Sequence, residues 1–198
     1  MKIIVVGANG WIGSKVVKIL EDKHEIVRVG LSKGDITMDF KDAESIREMY
    51  SEVGNFDAIV ATAGGGSWLG PFEEAREDEF LIGLNGKLMG QINLVLLGHE
   101  HINDNGVFTL TSGRFAHSPI PKSVVAGTVC AAIDGFVLQA SISLPRGIRI
   151  NSVSPAMVVD EPSNQGSGKV TREEAAAAYL DSIEGDFTGQ TLRVWNAD

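Results

Sequence analysis

The 198-residue sequence has one cysteine, two tyrosines, few basic residues and no long apolar run. The single cysteine, Cys130, excludes an internal disulfide and is typical of a reducing compartment. With 17 basic against 26 acidic side chains the net charge is −9, so the chain lacks the basic surface that binds nucleic acid or an anionic membrane. No run approaches the roughly 20 apolar residues of a membrane span, and residues 3–6 are too few for a signal peptide. We therefore expect a cytoplasmic protein with neither nucleic acid nor membrane as partner.

Short apolar runs alternate with stretches of helical periodicity along the chain. Ile and Val dominate residues 1–6, and Ile12, Val16 and Leu20 then recur at the spacing of one helix face. Parallel strands are buried on both faces and need helical crossovers, so this alternation predicts an α/β fold with a doubly wound parallel sheet in one domain, residues 1–198. Strands are predicted at 1–6, 25–29, 58–61, 107–111, 147–153 and 191–195, and helices near 12–20, 42–53, 77–101, 123–144 and from 171 onward.

Capping residues mark two of the helix starts. Asp42 precedes the second helix, and Thr171 with Glu174 has the spacing of a capping box before an alanine-rich segment. Residues 161–169, rich in proline, glycine and serine, have little to bury and are predicted to be loose.

A glycine-rich turn between the first strand and the first helix is the strongest local signal. Gly7, Gly10 and Gly13 follow the strand directly and open the helix. Glycines at this spacing allow a tight turn, a close approach of the backbone to a pyrophosphate, and close packing of helix on strand. The free amides and the helix dipole there attract an anion, which explains how an acidic chain could still bind phosphate. The turn therefore predicts dinucleotide binding.

The end of the second strand indicates which nicotinamide cofactor is bound. A carboxylate there would bind the 2′-hydroxyl of NAD, whereas this chain has Gly30 followed by Leu31, Ser32 and Lys33. Ser32 and Lys33 suit the 2′-phosphate of NADP, so NADP is favoured over NAD, although a solvated loop lysine fits the pattern too.

The motifs combine into a family pattern along nearly the whole chain. They are the glycine turn at 7–13, Asp39-Phe40, the segment 57–64 ending in Ala63-Gly64, Asn85, Thr109-Leu110-Thr111-Ser112-Gly113, and the segment 145–155. In this combination the sequence resembles the short-chain dehydrogenase/reductase family. The resemblance implies a Rossmann sheet of seven strands with NAD(P) across its carboxyl edge. It implies cofactor contacts at Gly7, Asn9, Gly10, Trp11, Ile12, Gly13, Ser32, Lys33, Asp39, Phe40, Ala61, Thr62, Ala63, Gly64, Thr111, Pro155, Ala156 and Val158.

The catalytic centre departs from the family pattern. The family's tyrosine moves the proton, and a lysine four residues later lowers the tyrosine pKa. Here neither Tyr50 nor Tyr179 has a lysine four residues later. Aligning the helix puts Ala126 at the tyrosine position and Cys130 at the lysine position.

Two candidate catalytic residues remain. Ser112 lies near the family's serine position and Asn85 at its asparagine position. A replacement proton donor would have to come from nearby cations, which are also typical of solvated or ion-paired side chains, and Cys130 fits a packing role among apolar helix residues. No histidine or cysteine spacing typical of a metal site occurs. The candidate donors are His117, Arg114, Lys122 and Lys87.

Three functions fit these observations. The first is an NADP-dependent oxidoreductase of the short-chain type that acts on a small carbonyl compound with non-standard proton delivery. The second is a cofactor-binding sensor or regulatory protein without turnover, and the third is a structural homo-oligomer. The helix at 123–144 is apolar over much of its circumference, so we expect a homodimer or homotetramer.

Overall fold

The chain alternates between strands and helices over its first half, except that two strands follow one another after the first helix. A computed structural model describes residues 1–64, 67–160 and 168–195. The strands are β1 (Lys2–Val6), β2 (Glu25–Gly30), β3 (Ile36–Thr37), β4 (Phe56–Ala61), β5 (Ile102–Thr111), β6 (Arg149–Pro155), β7 (Met157–Val159), β8 (Lys169–Thr171) and β9 (Thr191–Val194). The α-helices are α1 (Gly13–Leu20), α2 (Ala43–Val53), α3 (Glu77–Gly83), α4 (Met89–Gly98), α5 (Val124–Ser141) and α6 (Arg172–Glu184).

Seven of the strands form one parallel sheet. Their order is β3-β2-β1-β4-β5-β6-β9, and every neighbouring pair is parallel. The chain first builds outward from β1 to β3 and then continues on the other side of β1 from β4. The carboxyl ends of β1 and β4 therefore flank the switch point, which is where open α/β sheets bind ligands. The predicted seven-stranded Rossmann fold is confirmed.

Helices cover both faces of this sheet. On one face α1 and α6 bury Val16, Leu20 and Tyr179. On the other face α2, α4 and α5 bury residues such as Met49 and Ile133. Strands that are covered on both sides need apolar residues at consecutive positions, which is why β1 and β4 read as continuous apolar runs in the sequence.

The predicted helix caps have the expected contacts. The Asp42 side chain accepts a hydrogen bond from the Glu44 amide at 2.9 Å. Thr171 accepts one from the Glu174 amide at 3.1 Å, and its own amide donates to the Glu174 carboxylate at 2.7 Å. Both caps fix where a helix begins, and the second lies directly before Arg172, the first residue of α6.

Two predicted segments differ from the structure. The single helix predicted over 77–101 is divided by a π-helical turn at Leu84–Leu88 and ends at Gly98. Of the segment predicted to be loose, residues 161–167 lie outside the described residues, while Lys169 begins β8, which pairs with β7.

Two helical stretches are long and apolar enough to cross a membrane by length and composition alone. They are Glu77–Gly98 and Val124–Ser141. Both contribute buried side chains to the sheet, among them Leu94 and Ile133 at 0% exposure. In each stretch 33% of the most apolar window is buried in the structure, and core helices of proteins outside membranes can have the same length and composition.

Candidate functional site

The turn after β1 is closed by backbone contacts that only glycine permits. Gly7 has a φ of +83°, and its carbonyl accepts from the Gly10 amide at 2.8 Å. A Cβ atom on Gly13 would overlap the Gly7 carbonyl and lie 2.6 Å from the Thr62 Oγ1. Helix α1 therefore starts in direct contact with the end of β1, as the sequence predicted, and with Thr62 at the end of β4.

Three consecutive amides at the start of α1 are available to a ligand. Within the described residues, the N–H groups of Trp11, Ile12 and Gly13 have no protein acceptor. Together with the positive end of the helix dipole they form an anion-binding site whose geometry suits a diphosphate.

A cation lies beside these amides. The Arg172 guanidinium lies 4.6 Å from the ring centroid of Trp11 and donates to the Ser14 hydroxyl at 2.7 Å. Its other contact is to Asp160 at 3.4 Å. This arginine adds positive potential at one end of α1 in a chain whose net charge is −9.

The turn cavity lies between the glycine turn and the loop after β2. It has a volume of about 160 Å³ and is lined by Asn9, Ser32 and Lys33 together with glycines of the turn. The Asn9 amide group donates to the Lys33 carbonyl at 2.8 Å, which holds the loop against the turn. No carboxylate lines this cavity within the described residues.

The adenine-side cavity, about 290 Å³, opens beside β2 and β3. Asp39 and Phe40 line it, as do Gly7 and Lys87. Phe40 is also packed against Gly90, so its ring is part of the core as well as of the cavity boundary.

The central cavity lies at the carboxyl ends of β4, β5 and β6. It has a volume of about 520 Å³. Ala126 and Cys130, which the resemblance puts at the positions of the family's tyrosine and lysine, both line it one helical turn apart on α5. Other predicted residues that line it are Ile12, Thr62, Ala63, Gly64, Thr111, Ser112, Pro155, Ala156 and Val158.

Lys87 projects from the π-helical turn into the space beside Cys130. Its Nζ donates to the Ser112 carbonyl at 2.7 Å and lies 3.9 Å from the Cys130 Sγ. Burial lowers the pKa of the Lys87 ammonium, while Cys130 and Asp134 act in the opposite direction. Burial raises the pKa of the Cys130 thiol, and Lys87 partly offsets this shift. The pair therefore presents a lysine that is a stronger acid than usual beside a neutral thiol.

The two candidate catalytic residues have different environments. Ser112 is 2% exposed and lines the central cavity, and its Oγ has no hydrogen-bond partner among the described residues. Asn85 is exposed and lines neither the central nor the adenine-side cavity. The wider π-helical turn changes which side chains face inward, so Lys87 rather than Asn85 points to the cavity.

The other candidate proton donors also differ in whether they line the central cavity. Arg114 lines the central cavity. His117 bonds to Asp134 at 2.9 Å and to Arg193 at 3.1 Å, and neither His117 nor Lys122 lines that cavity. Four of the predicted cofactor contacts also contact the rest of the protein. Gly13 is buried where α1 packs on the sheet, and Ala61 is buried at the end of β4. Trp11 is exposed and lies under the Arg172 guanidinium. The Thr111 hydroxyl donates to the Ala61 carbonyl.

Neither tyrosine can replace the missing one from its present position. Tyr50 and Tyr179 are both 0% exposed, and their hydroxyls bond to the Leu94 carbonyl and to Thr111. Neither lines the central cavity. No cluster of potential metal ligands occurs among the described residues. Sequence reasoning missed the Lys87–Cys130 contact and the position of Arg172, because both join segments far apart in the chain.

Comparisons with known proteins identify a family and a shared fold. The family model described as enoyl-(acyl carrier protein) reductase matches residues 2–186. The protein lin1944 from Listeria innocua is 39% identical, with 98% of this chain and 99% of that chain covered and a TM-score of 0.91. No curated protein matches the sequence.

Two more distant structures share the fold. A short-chain dehydrogenase/reductase from Serratia marcescens is 23% identical, with a TM-score of 0.82 over 97% of this chain and 95% of that one. A small-chain dehydrogenase solved in complex with NADPH is 21% identical, with a TM-score of 0.85 over 98% of this chain and 95% of that one.

Proposed function

Because the chain belongs to the short-chain dehydrogenase/reductase family, we propose that it is an NADP(H)-dependent oxidoreductase that acts on a small carbonyl compound. The proton donor in this proposal is Lys87 instead of a tyrosine. The supporting observation is the position of its Nζ, 3.9 Å from the sulfur of Cys130, the residue that stands where the family has its lysine.

The fit of the cofactor rests on the residues at the switch point. The free amides of Trp11, Ile12 and Gly13 would hold the diphosphate, with Arg172 adding charge. The turn cavity, lined by Ser32 and Lys33 and by no carboxylate of the described residues, would take the 2′-phosphate. The NADPH complex of a distant structural relative supports the same choice. When bound, the nicotinamide supplies or accepts the hydride.

The chain's own residues then have separate tasks. Lys87 donates a proton from Nζ to the carbonyl oxygen, and its lowered pKa brings this acid closer to the working pH. The Ser112 carbonyl holds the ammonium in place at 2.7 Å, and the Ser112 hydroxyl is free to bind the same carbonyl oxygen. A positioned acid contributes about 10²–10⁴-fold to the rate.

The test compares NADPH oxidation by the native chain and by Lys87→Met across aldehydes, ketones and enones. We expect a loss of at least about 100-fold in kcat for Lys87→Met at saturating NADPH, because the acid is removed and the diphosphate site is not. Lys87→Arg serves as the charge-matched control, since its guanidinium keeps the charge but is a far weaker acid. Ser112→Ala keeps the backbone carbonyl that holds Lys87 but removes the hydroxyl. We expect this variant to lose about 1 kcal/mol of transition-state stabilisation. Equal turnover by Lys87→Met would refute the role of Lys87.

A second function is favoured by Ala126 and Cys130. These residues leave the central cavity without the family's tyrosine and lysine, which suits a cofactor-binding sensor or regulatory protein. If NADPH binds and no compound of the panel is reduced, the sensor is the better description. A structural homo-oligomer is the remaining possibility, and it predicts no thermal stabilisation by NADPH, whereas a ligand at 100 times its Kd adds about 2.7 kcal/mol.

The proposal includes cellular context and assembly. A free thiol at Cys130 suits the reducing cytoplasm. Exposed apolar side chains on α4 (Leu96), on α5 (Leu138) and directly after α5 (Ile142) favour a homodimer or homotetramer over a monomer.

A further inference from the structure

The central cavity contains a cation that the proposed chemistry does not use. Arg114 follows β5 and lines the cavity together with Lys87. No aspartate or glutamate of the described residues lines it, although acidic side chains outnumber basic ones by 26 to 17 in the sequence. The charge of this cavity is therefore opposite to that of the molecule.

Among the residues that the structure describes, Arg114 has few hydrogen-bond acceptors. Its Nη2 donates to the Ser118 hydroxyl at 3.3 Å, a long hydrogen bond to a neutral group. Its Nε is buried and has no hydrogen-bond partner among the described residues. A guanidinium stays protonated in proteins, and burying its donors without acceptors costs free energy. An oxyanion in the cavity would supply the missing acceptors, in the two-pronged geometry that arginine favours.

The rest of the cavity is apolar and open to solvent. Leu69, Ile120 and Met157 line it and are 55%, 44% and 64% exposed. Large apolar side chains grouped at the rim of a cavity mark a binding surface. They would contact an apolar ligand body between the solvent and the two cations.

We propose that the carbonyl substrate carries an oxyanion, a carboxylate or a phosphate, which Arg114 binds while the apolar part of the substrate packs against Leu69, Ile120 and Met157. The proposal rests on the proposed function, because it assigns the substrate class of the same cavity. It makes Arg114 a specificity-determining residue and leaves proton transfer to Lys87. A purely structural Arg114 would instead only hold the Ser118 hydroxyl and would not distinguish charged from neutral compounds.

The experiment measures binding to the full chain saturated with NADP+, by calorimetry, and reduction with NADPH. The carboxylate arm compares 5-oxohexanoate with its methyl ester, and the phosphate arm compares dihydroxyacetone phosphate with dihydroxyacetone. Each pair has the same carbonyl and differs in charge. The variants are Arg114→Gln, Arg114→Lys and the control Arg47→Gln, in which an exposed arginine paired with Glu44 on α2 is changed in the same way.

We expect at least one anion to bind about tenfold or more tightly than its neutral partner, which is the value of one charge-assisted hydrogen bond. Arg114→Gln should abolish that preference, Arg114→Lys should keep part of it, and Arg47→Gln should keep all of it. The arm that shows the preference identifies the oxyanion.

Three results would overturn the inference. If NADP+ and NADPH bind but neither anion is preferred by the native chain, the inference fails and the proposed function stands. A preference that survives in Arg114→Gln assigns the anion to other residues and also overturns it. If neither cofactor binds, the proposed function and the inference fail together. The comparison of acid with ester in the native chain needs no variant, so misfolding of Arg114→Gln cannot hide the answer.

Discussion

Lys87 combines a buried charge with a position at the centre of the cavity. Its Nζ has the Ser112 carbonyl at 2.7 Å as an acceptor, and burial lowers its pKa. Burying an ammonium group costs free energy because its charge loses hydration, and proteins keep such groups mainly at functional sites. Lys87 therefore affects both the free energy of unfolding and the proton transfer that we propose for the central cavity.

This link predicts a pH dependence of stability. Because the folded pKa of Lys87 is lower than its unfolded value of about 10.4, the unfolded state binds more protons between the two values. The free energy of unfolding of the native chain, relative to Lys87→Met, should therefore rise as the pH rises from neutral towards about 10. Urea unfolding of both proteins at several pH values measures the difference. A difference that stays constant or falls over this range contradicts the buried charge.

At the scale of the element, the capping box of α6 connects helix stability to the diphosphate site. Thr171 caps the helix that Arg172 begins, and Arg172 contacts both Trp11 and Ser14 of the glycine turn and α1. Fraying of this helix end would move the one arginine that lies beside the free amides.

We expect Thr171→Ala to lower the free energy of unfolding by about 1 kcal/mol, since the Glu174 amide loses its acceptor. It should also weaken NADPH binding through Arg172. Ser51→Ala is the control. Ser51 lies within α2 and not before its first residue, its side chain is exposed, and its hydroxyl donates to the Arg47 carbonyl without capping a helix. Urea unfolding and NADPH titration of both variants measure the effects. If the two variants lose equal stability, the capping box contributes nothing specific.

The elements also show what the sequence could predict. The strands β1 and β4, the glycine turn and the caps at Asp42 and Thr171 depend on local periodicity or on residues at most four apart, and each is where the sequence placed it. The π-helical turn could not be predicted from the sequence. Such a turn differs from an α-helical turn by one extra residue, and the amino-acid composition of the segment does not show this difference.

The side chain that reaches the cavity differs from the one the family resemblance put forward. The resemblance favoured Asn85, whereas Lys87 of the turn at Leu84–Leu88 is the residue that contacts the Ser112 carbonyl. The contact of Arg172 with Trp11 was equally invisible, since it joins residues 161 positions apart whose meeting depends on the packing of α6 on α1. Local sequence patterns predicted the strands, the helices and the glycine turn. Which charged side chains lie at the cavity and at the turn depends on tertiary packing.

For the molecule as a whole, the exposed apolar side chains of Leu138 on α5 and of Ile142, which follows that helix, predict self-association. Leu138 and Ile142 are 56% and 82% exposed, and burying them against a second copy would gain about 25 cal/mol per Å² of apolar area. Light scattering should give a mass of two or four chains of 21.1 kDa. Leu138→Glu should shift the mass towards one chain, whereas Leu31→Glu, an equally apolar and exposed position after β2, should not. A monomeric native protein would refute the assembly.

The central claim is that the amides at the start of α1 bind a dinucleotide diphosphate in an acidic protein. Calorimetric titration of the native chain with NADPH tests it most directly, with Gly13→Ala as the variant because its Cβ would displace the turn from α1. The account predicts one NADPH per chain, weaker binding of NADH, and no binding to a folded Gly13→Ala. A folded native chain that binds neither NADPH nor NADH, or a Gly13→Ala variant that binds NADPH as tightly as the native chain, would contradict it.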